Sequence, residues 1–436
     1  MVKNIIEPII RVGIILPEYK KTSIEIKLLN PQQYKINTGE LSELLNIEIQ
    51  SKSILINNEP VDNILIEPIK IDGEINPACV KTTADRHPII NSVPIGRGFH
   101  WQNEIQVQLP GGINIKNHNG YLFVINELHL EQYLPYVATS EMNPDCPPAL
   151  LEAQTIAARS WLLVNRKVNH PELDIDVCND DCCQRYQGVT NVPDQSLQTL
   201  QNTSGQVLLY NNKICDARYS KCCGGITESY ENVWGEKPIP YLSSISDNPQ
   251  PNDNLITTND HESFINSSPP AFCSEKYISS SDIQKYLGKV DKSGSYYRWN
   301  ISYSQEELTL IINNKLDLNA KIVKKLASLN RGFSGRITEL KIDYIDKSDE
   351  KTSIVLNSEY DIRNALRKQF LYSSAITIEQ KLDNNQHISS FKFNGAGWGH
   401  GVGLCQIGAL GMALNGYSAE DILDHYFTDT TIDKIY

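Results

Sequence analysis

Short runs of alternating apolar and polar residues dominate the first third of the chain. Residues 23–28 follow this pattern, and residues 9–16 form an isoleucine-rich apolar run that only Arg11 interrupts. A period of two is typical of strands with one buried face. The pattern predicts a small β-rich region over residues 1–90, with further strands at 105–109 and 121–125.

A helical pattern begins after Pro147-Pro148. Residues 149–167 are rich in Ala, Leu, Gln and Arg and contain no glycine or proline. Proline is favoured in the first turn of a helix, so this long segment is predicted to be helical. Near the end of the chain a helix is predicted over Leu404–Leu414, and Ser418 with Asp421 forms a capping box for another.

Composition shifts suggest how the chain is organised. Residues 247 to about 275 are dense in Asn, Asp, Ser and Pro, which is typical of loops. We predict an α+β, β-rich multi-domain protein in which a long helix follows the candidate catalytic loop. The predicted divisions are a β-rich region at 1–90, the first part of a core at 91–246, an accessory α/β region at 247–390, and the last part of the core at 391–436.

Charge and hydropathy narrow the choice of partners. The 436 residues include 40 Lys+Arg against 52 Asp+Glu, for a net charge of −12, which argues against nucleic acid or an anionic membrane surface as the main partner. No apolar run approaches the roughly 20 residues of a membrane helix. Glu7, Pro8 and Arg11 interrupt the N-terminal apolar run, so no export signal is predicted.

Two segments carry carboxylates with catalytic potential. Glu141 lies within residues 133–144, a predicted loop before the long helix, where it is either a general acid or a capping or surface glutamate. Glu228 and Glu231 lie close together in residues 227–235. Paired carboxylates can catalyse glycoside hydrolysis, but polar residues at the end of a strand explain this pair equally well.

A glycine-rich segment precedes the predicted helix at 404–414. Gly397–Gly403 has glycine at every second position, which does not match a phosphate-binding loop. Trp398 could stack on a sugar face and His400 could donate a hydrogen bond to a ligand. The alternative is a glycine-rich turn with a packed tryptophan and a structural histidine.

Cysteines form a third kind of constellation. The separations within His170, Cys178, Cys182 and Cys183 suit tetrahedral zinc ligands, and further thiols lie at Cys222-Cys223 and Cys273. Disulfides and buried thiols remain alternatives. The other cysteines are predicted to be core or loop residues: Cys79, Cys146, Cys215 and Cys405.

Taken together, four segments resemble, in order, the motifs of the stage II sporulation protein D family, also called SpoIID/LytB. They are Glu131–Ser160, Cys182–Gly188, Tyr219–Trp234 and Gly397–Ala409. Four ordered motifs are more specific than any one of them. Residues 1–90 and most of 247–390 carry no matching motif.

The resemblance implies an enzyme, a peptidoglycan lytic transglycosylase that cleaves glycan strands whose stem peptides have been removed. Glu141 takes the position of the family's catalytic acid. The candidate substrate-binding residues are Ser140, Gln154, Arg159, Trp398, His400 and Gln406. For Arg159, a role as a structural ion-pair partner is the alternative.

The resemblance also implies a structural zinc ion and a location in the cell envelope. The implied zinc ligands are His170, Cys178, Cys182 and Cys183, with Cys222 and Cys223 as alternates. The implied partners are peptidoglycan glycan strands and a cell-wall amidase. Two other functions remain open: a non-catalytic glycan-binding modifier that stimulates an amidase, and a zinc-dependent hydrolase.

Overall fold

The computed structural model contains both helices and many strands, which confirms the predicted α+β, β-rich fold. Its contacts divide the chain into two compact units. The first comprises residues 1–146, 154–216 and 432–436, and the second comprises 147–153 and 217–431. The residues that the structure describes are 6–50, 53–71, 74–75, 87–97, 102–189, 193–235, 237–249, 260–287, 295–384 and 387–436.

Two six-stranded sheets form most of the first unit. In spatial order, one contains Val177–Cys178, Ile9–Ile15, Tyr121–His129, Gly112–His118, Asn63–Pro68 and Tyr34–Ile36. The other contains Asn103–Gln108, Ile89–Ile95, Ser23–Lys27, Leu44–Gln50, Ser53–Ile56 and Glu59–Val61. The smaller strands are Lys213–Ile214, Gln206–Tyr210 and Thr431–Lys434 in one sheet, and Lys70–Ile71 with Glu74–Ile75 in another.

Period-two alternation explains these strands. In Ser23–Lys27 the two isoleucines are buried and the three polar residues are exposed. Strand Ile9–Ile15 pairs antiparallel with Tyr121–His129, so the predicted boundary at residue 90 crosses both large sheets. Long-range pairing of this kind is not visible in local composition.

Three helices belong mainly to the first unit: Leu130–Glu141, Pro148–Asn165 and Asp194–Asn202. The prediction of a long helix after Pro147-Pro148 is confirmed. The predicted loop at 133–144 is wrong over most of its length, because residues 130–141 are helical. Apolar residues at 130, 133, 134, 137 and 138 follow the helical spacing despite Pro135, and all residues from 133 to 140 are buried.

The second unit combines three small sheets with short helices. The sheets contain Tyr219–Ser220 with Leu404–Cys405; Arg298–Ser304, Ile388–Ala396 and Ile376–Leu382; and Ala320–Arg331, Ile337–Asp346 and Lys351–Leu356. Its α-helices are Glu231–Trp234, His261–Asn266, Ser280–Leu287, Gln305–Leu316, Glu359–Ala365, Gln406–Leu414 and Ala419–Tyr426. Short 3-10 turns in the chain cover Pro17–Tyr19, Pro31–Gln33 and Pro240–Leu242.

The core of the second unit lies between its sheets and helix Gln305–Leu316. Leu308 and Ile312 of that helix share a buried cluster with strand residues Val323, Ile342 and Phe393. The capping box of the last helix is confirmed, with both of its reciprocal hydrogen bonds formed. The predicted boundary at 391 falls inside strand Ile388–Ala396, which leads directly into the glycine-rich segment.

Candidate functional site

Glu141 is the last residue of helix Leu130–Glu141, and its side chain is partly exposed. The backbone N–H of Arg185 donates a hydrogen bond to Glu141 Oε1 at 3.3 Å. Beside it, Ser140 Oγ accepts the backbone N–H of Gln187 at 3.2 Å. The end of the helix is thus bonded to the segment 184–188, which orients the Glu141 carboxyl group while leaving it open to solvent.

Two buried polar side chains of the segment 184–188, Gln184 and Tyr186, fix its position. Gln184 donates through Nε2 to the carbonyl of Ala158 at 3.1 Å and accepts the Tyr133 hydroxyl at 3.3 Å. Tyr186 donates through its hydroxyl to Asn126 Oδ1 at 2.8 Å. Sequence reasoning assigned these residues no role, although Gln184 and Tyr186 lie inside a recognised motif.

The other predicted substrate-binding residues of this unit are buried. Ser140 and Gln154 are 4% and 0% exposed. Arg159 is also fully buried and donates to both carboxylate oxygens of Glu131, at 2.8 and 2.7 Å, and to the carbonyl of Gln206 at 2.9 Å. The structure therefore supports the ion-pair alternative for Arg159 rather than a role in lining a cleft.

The pKa of Glu131 reflects this pairing. Burial acts to raise its pKa, but the hydrogen bonds and the charge of Arg159 outweigh burial and lower the pKa below its ordinary value. The hydroxyl of Tyr436 also bonds to Glu131 Oε1. Helix Leu130–Glu141 is thereby tied through Glu131 to the helix that carries Arg159.

The four predicted zinc ligands come together in the first unit. The ligand atoms of His170, Cys178, Cys182 and Cys183 all lie within 4.8 Å of one another. Cys182 Sγ is 3.1 Å from Cys178 Sγ and 3.7 Å from His170 Nε2. One imidazole and three thiols are a donor set that fits a tetrahedral zinc ion.

Two features favour an anionic sulfur in this group. Hydrogen bonds from Cys178 and Cys182 lower the pKa of Cys183 below its ordinary value. Asn169 donates through Nδ2 to Cys183 Sγ at 3.5 Å and to the carbonyl of Cys182 at 2.6 Å. The alternates Cys222 and Cys223 belong to the second unit.

The glycine-rich segment of the second unit wraps around a buried arginine. The carbonyl of Gly399 accepts from Arg336 Nε at 3.3 Å and from Nη2 at 3.2 Å. Gly401 has φ +81°, and a Cβ there would lie 2.4 Å from the guanidinium carbon of Arg336. Glycine is required at 401 because both the backbone conformation and the space exclude a side chain.

Trp398 and Gln406 are packed inside this unit. Trp398 is 7% exposed and stacks on Tyr372 with ring centroids 4.0 Å apart and planes at 28°. Gln406 is 1% exposed. The structure therefore favours the packed-tryptophan alternative over a sugar-stacking platform.

His400 is a neutral histidine that accepts a hydrogen bond from the backbone of the glycine-rich segment. Its Nδ1 accepts the backbone N–H of Val402 at 3.0 Å, which places the ring proton on Nε2. Burial, followed by the charges of Arg218, Arg363 and Arg336, lowers the pKa of His400 to about 3. The neutral imidazole of His400 therefore stabilises the glycine-rich turn through this hydrogen bond.

The carboxylates of the 227–235 segment differ in environment. Glu228 is buried, and its Oε1 accepts from Ser229 N at 2.9 Å and Asn232 Nδ2 at 2.8 Å. Its Oε2 accepts the hydroxyl of Ser334 at 2.5 Å. Glu228 thus has a structural role, whereas Glu231 is a partly exposed residue at the start of a short helix.

These features define an α+β protein with an oriented, partly exposed glutamate in one unit and a glycine-rich turn around a buried arginine in the other. Residues 118–210 match the family model described as Stage II sporulation protein. Residues 228–403 match a domain of unknown function, DUF8618. Within the described residues, no helix is long and apolar enough to span a membrane.

Three curated proteins illustrate the relationship. An uncharacterized protein of Brachyspira hyodysenteriae is 27% identical over 75% of this chain and 72% of its own length. Stage II sporulation protein D of Bacillus amyloliquefaciens is 25% identical over 71% of this chain and 76% of its own length. The amidase enhancer of Bacillus subtilis is 24% identical over 68% of this chain but only 39% of its own length. These matches confirm the predicted resemblance to the SpoIID/LytB family.

Proposed function

We propose that this protein is a lytic transglycosylase of the cell envelope that cleaves peptide-free peptidoglycan strands between N-acetylmuramic acid and N-acetylglucosamine. The observation that carries the proposal is the placement of Glu141. Its carboxyl group is partly exposed at the end of a buried helix, and the backbone N–H of Arg185 orients it. The match of residues 118–210 to the sporulation family supports the same substrate class.

A single carboxyl group suffices for this reaction. Glu141 protonates the glycosidic oxygen as the bond breaks, and its carboxylate then accepts the proton of the muramic 6-hydroxyl. That hydroxyl attacks the anomeric carbon and closes a 1,6-anhydro ring, so no water is consumed. The full hydrogen bonding of Glu228 is consistent with a mechanism that needs no second carboxylate.

A zinc ion held by His170, Cys178, Cys182 and Cys183 would act structurally in this proposal. Four protein ligands fill a tetrahedral site and leave no position for an activated water. The ligands Cys182 and Cys183 directly precede the segment 184–188, whose amides bond to Ser140 and Glu141. The metal group is thus suited to fixing the loop that orients the catalytic carboxyl.

Mass spectrometry of products from amidase-treated peptidoglycan tests the activity. We expect wild-type protein to release fragments with 1,6-anhydro ends, each lighter by one water than a hydrolysis product. Glu141→Gln should lower release at least a hundredfold while its thermal unfolding stays unchanged. Glu231→Gln is the control and should retain activity; equal loss in both variants would refute the assignment of Glu141 as the single catalytic carboxyl group.

The similarity to an amidase enhancer adds a second measurement to this test: the effect of the protein on a cell-wall amidase. If wild-type protein binds denuded strands without cleaving them and accelerates a cell-wall amidase, it is a modifier and the transglycosylase proposal fails. Products that carry ordinary reducing ends would contradict the proposal in a different way, because they require water as the nucleophile.

A further inference from the structure

A second group of cysteines, distant from one another in sequence, meets inside the second unit. Cys223, Cys273 and Cys405 bring their sulfurs, together with a carboxylate oxygen of Asp247, within 4.8 Å of one another. Cys222 lies beside this group, and its thiol makes side-chain hydrogen bonds with Cys273 and Cys405. All four cysteines are at most 2% exposed, and no disulfide joins them.

The spacing of the sulfurs matches a single tetrahedral ion. Cys223 Sγ and Cys273 Sγ are 3.7 Å apart. With zinc–sulfur bonds of about 2.3 Å, the edge of a tetrahedron of sulfurs is about 3.8 Å. An iron–sulfur cluster distributes its thiolates over several iron atoms, which would hold the sulfurs farther apart than this.

Backbone N–H groups donate hydrogen bonds to these sulfurs, as they do to anions. Cys405 Sγ accepts the N–H of Cys223 at 3.1 Å and the N–H of Gly408 at 3.3 Å. Cys223 Sγ accepts the N–H of Gly225 at 3.3 Å. Cys405 also caps the N-terminus of helix Gln406–Leu414, where the helix dipole favours negative charge.

Asp247 lies next to the sulfurs and holds two neighbouring groups through hydrogen bonds. Its Oδ2 accepts the backbone N–H of Cys273 at 2.9 Å, and its Oδ1 accepts the hydroxyl of Tyr426 at 2.6 Å. Both carboxylate oxygens of Asp247 accept a hydrogen bond, whereas the thiols of Cys222 and Cys273 contact other thiols of the group. This difference favours four thiolates as the donor set, with Asp247 holding the backbone at Cys273.

We propose that Cys222, Cys223, Cys273 and Cys405 bind a structural zinc ion, separate from the group at His170 and independent of the proposed enzyme activity. Four soft sulfur ligands in tetrahedral arrangement select zinc and leave no open position for catalysis. Cys223 and Cys405 are 182 residues apart in the chain. Closing so long a loop restricts the unfolded chain, so the ion stabilises the second unit.

Zinc analysis and X-ray absorption on the full chain, expressed in zinc-supplemented medium, test this site. In Cys182→Ser, which disrupts the group at His170, we expect about one zinc per chain with only sulfur ligands at about 2.3 Å. Cys273→Ser should lose one zinc relative to wild type, and Cys215→Ala is the control that should lose none. Asp247→Asn should keep the all-sulfur coordination.

Several results would overturn the proposal. These are a wild-type chain with no zinc beyond that of the group at His170, loss of all zinc from folded Cys182→Ser, and a disulfide among the four cysteines by mass spectrometry of unreduced protein. Loss of zinc in Asp247→Asn with retention in Cys222→Ser would refute the four-thiolate ligand set. Wild-type protein should bind about two zinc ions, with more sulfur in their average coordination than the group at His170 alone would give, so the test holds even where a cysteine variant fails to fold. Peptidoglycan cleavage is no part of any readout.

Discussion

Arg159 carries a fully buried positive charge whose counterion, Glu131, lies on another helix. Removing one partner of such a pair leaves an uncompensated buried charge. Arg159→Met should therefore lower the free energy of unfolding by about 3–5 kcal/mol, measured by urea denaturation at neutral pH.

The control for Arg159→Met is Lys35→Met, which removes an exposed ion pair with Glu67 in the same unit. Lys35→Met should lower the free energy of unfolding by between about 0 and 1 kcal/mol. Because the folded-state pKa of Glu131 is lowered, its contribution is present above its unfolded-state pKa of about 4.3 and is lost as the pH falls through the folded value. The gap between wild type and Arg159→Met should narrow in acid; a gap independent of pH would contradict the ion-pair role.

The residues themselves show why part of the site was predictable. Glu141 and the cysteine group at His170 were recognised from ordered motifs and short separations in sequence. The burial of Arg159 and Trp398 was not predictable, because their partners Glu131 and Tyr372 are identified only by the folded chain. A motif residue fixed for structural reasons has the same sequence signature as one that contacts substrate.

At the scale of the element, the glycine-rich segment is a turn shaped by its contact with Arg336. Gly401→Ala should place a Cβ 2.4 Å from the guanidinium carbon in a backbone conformation that alanine disfavours. We expect a loss of about 3 kcal/mol or more in the free energy of unfolding, measured by urea denaturation, since strain and overpacking add.

Gly416→Ala separates these two effects. Gly416 also has a positive φ, +87°, but a Cβ there would meet nothing within 4 Å. In this variant the free energy of unfolding should fall by only about 1–2 kcal/mol, which is the cost of the backbone conformation alone. Equal losses in the two variants would show that the close approach of Arg336 does not constrain the segment.

Helices with a clear local sequence pattern are predictable from the sequence, whereas helix Leu130–Glu141 is not. The helix after Pro147-Pro148 and the capping box at Ser418 follow from composition and spacing within a few residues. Helix Leu130–Glu141 was assigned to a loop, because Pro135 and the polar end of the segment obscure its apolar face. Its hydrophobic spacing of three and four residues was the available signal.

Across the whole chain, strand pairing and metal groups depend on contacts between distant segments. Ile9–Ile15 pairs with Tyr121–His129, which joins regions that composition separated at residue 90. Cys405 was assigned to the core, yet its sulfur meets Cys222, Cys223 and Cys273. Cys79 lies outside the described residues. Sequence could supply the ligand types but not the grouping of cysteines that are far apart in the chain.

The two proposed metal groups should stabilise different parts of the chain, because each lies within one unit. Hydrogen exchange measured by mass spectrometry resolves this by segment. Cys182→Ser should raise exchange in residues 165–188, including the amides that bond to Ser140 and Glu141, and should lower transglycosylase activity through that loop. Cys273→Ser should instead raise exchange around 220–226 and 403–410. A uniform rise across both units in either variant would show that the proposed ion stabilises the fold globally, and unchanged exchange in both would show that neither group holds a structural metal.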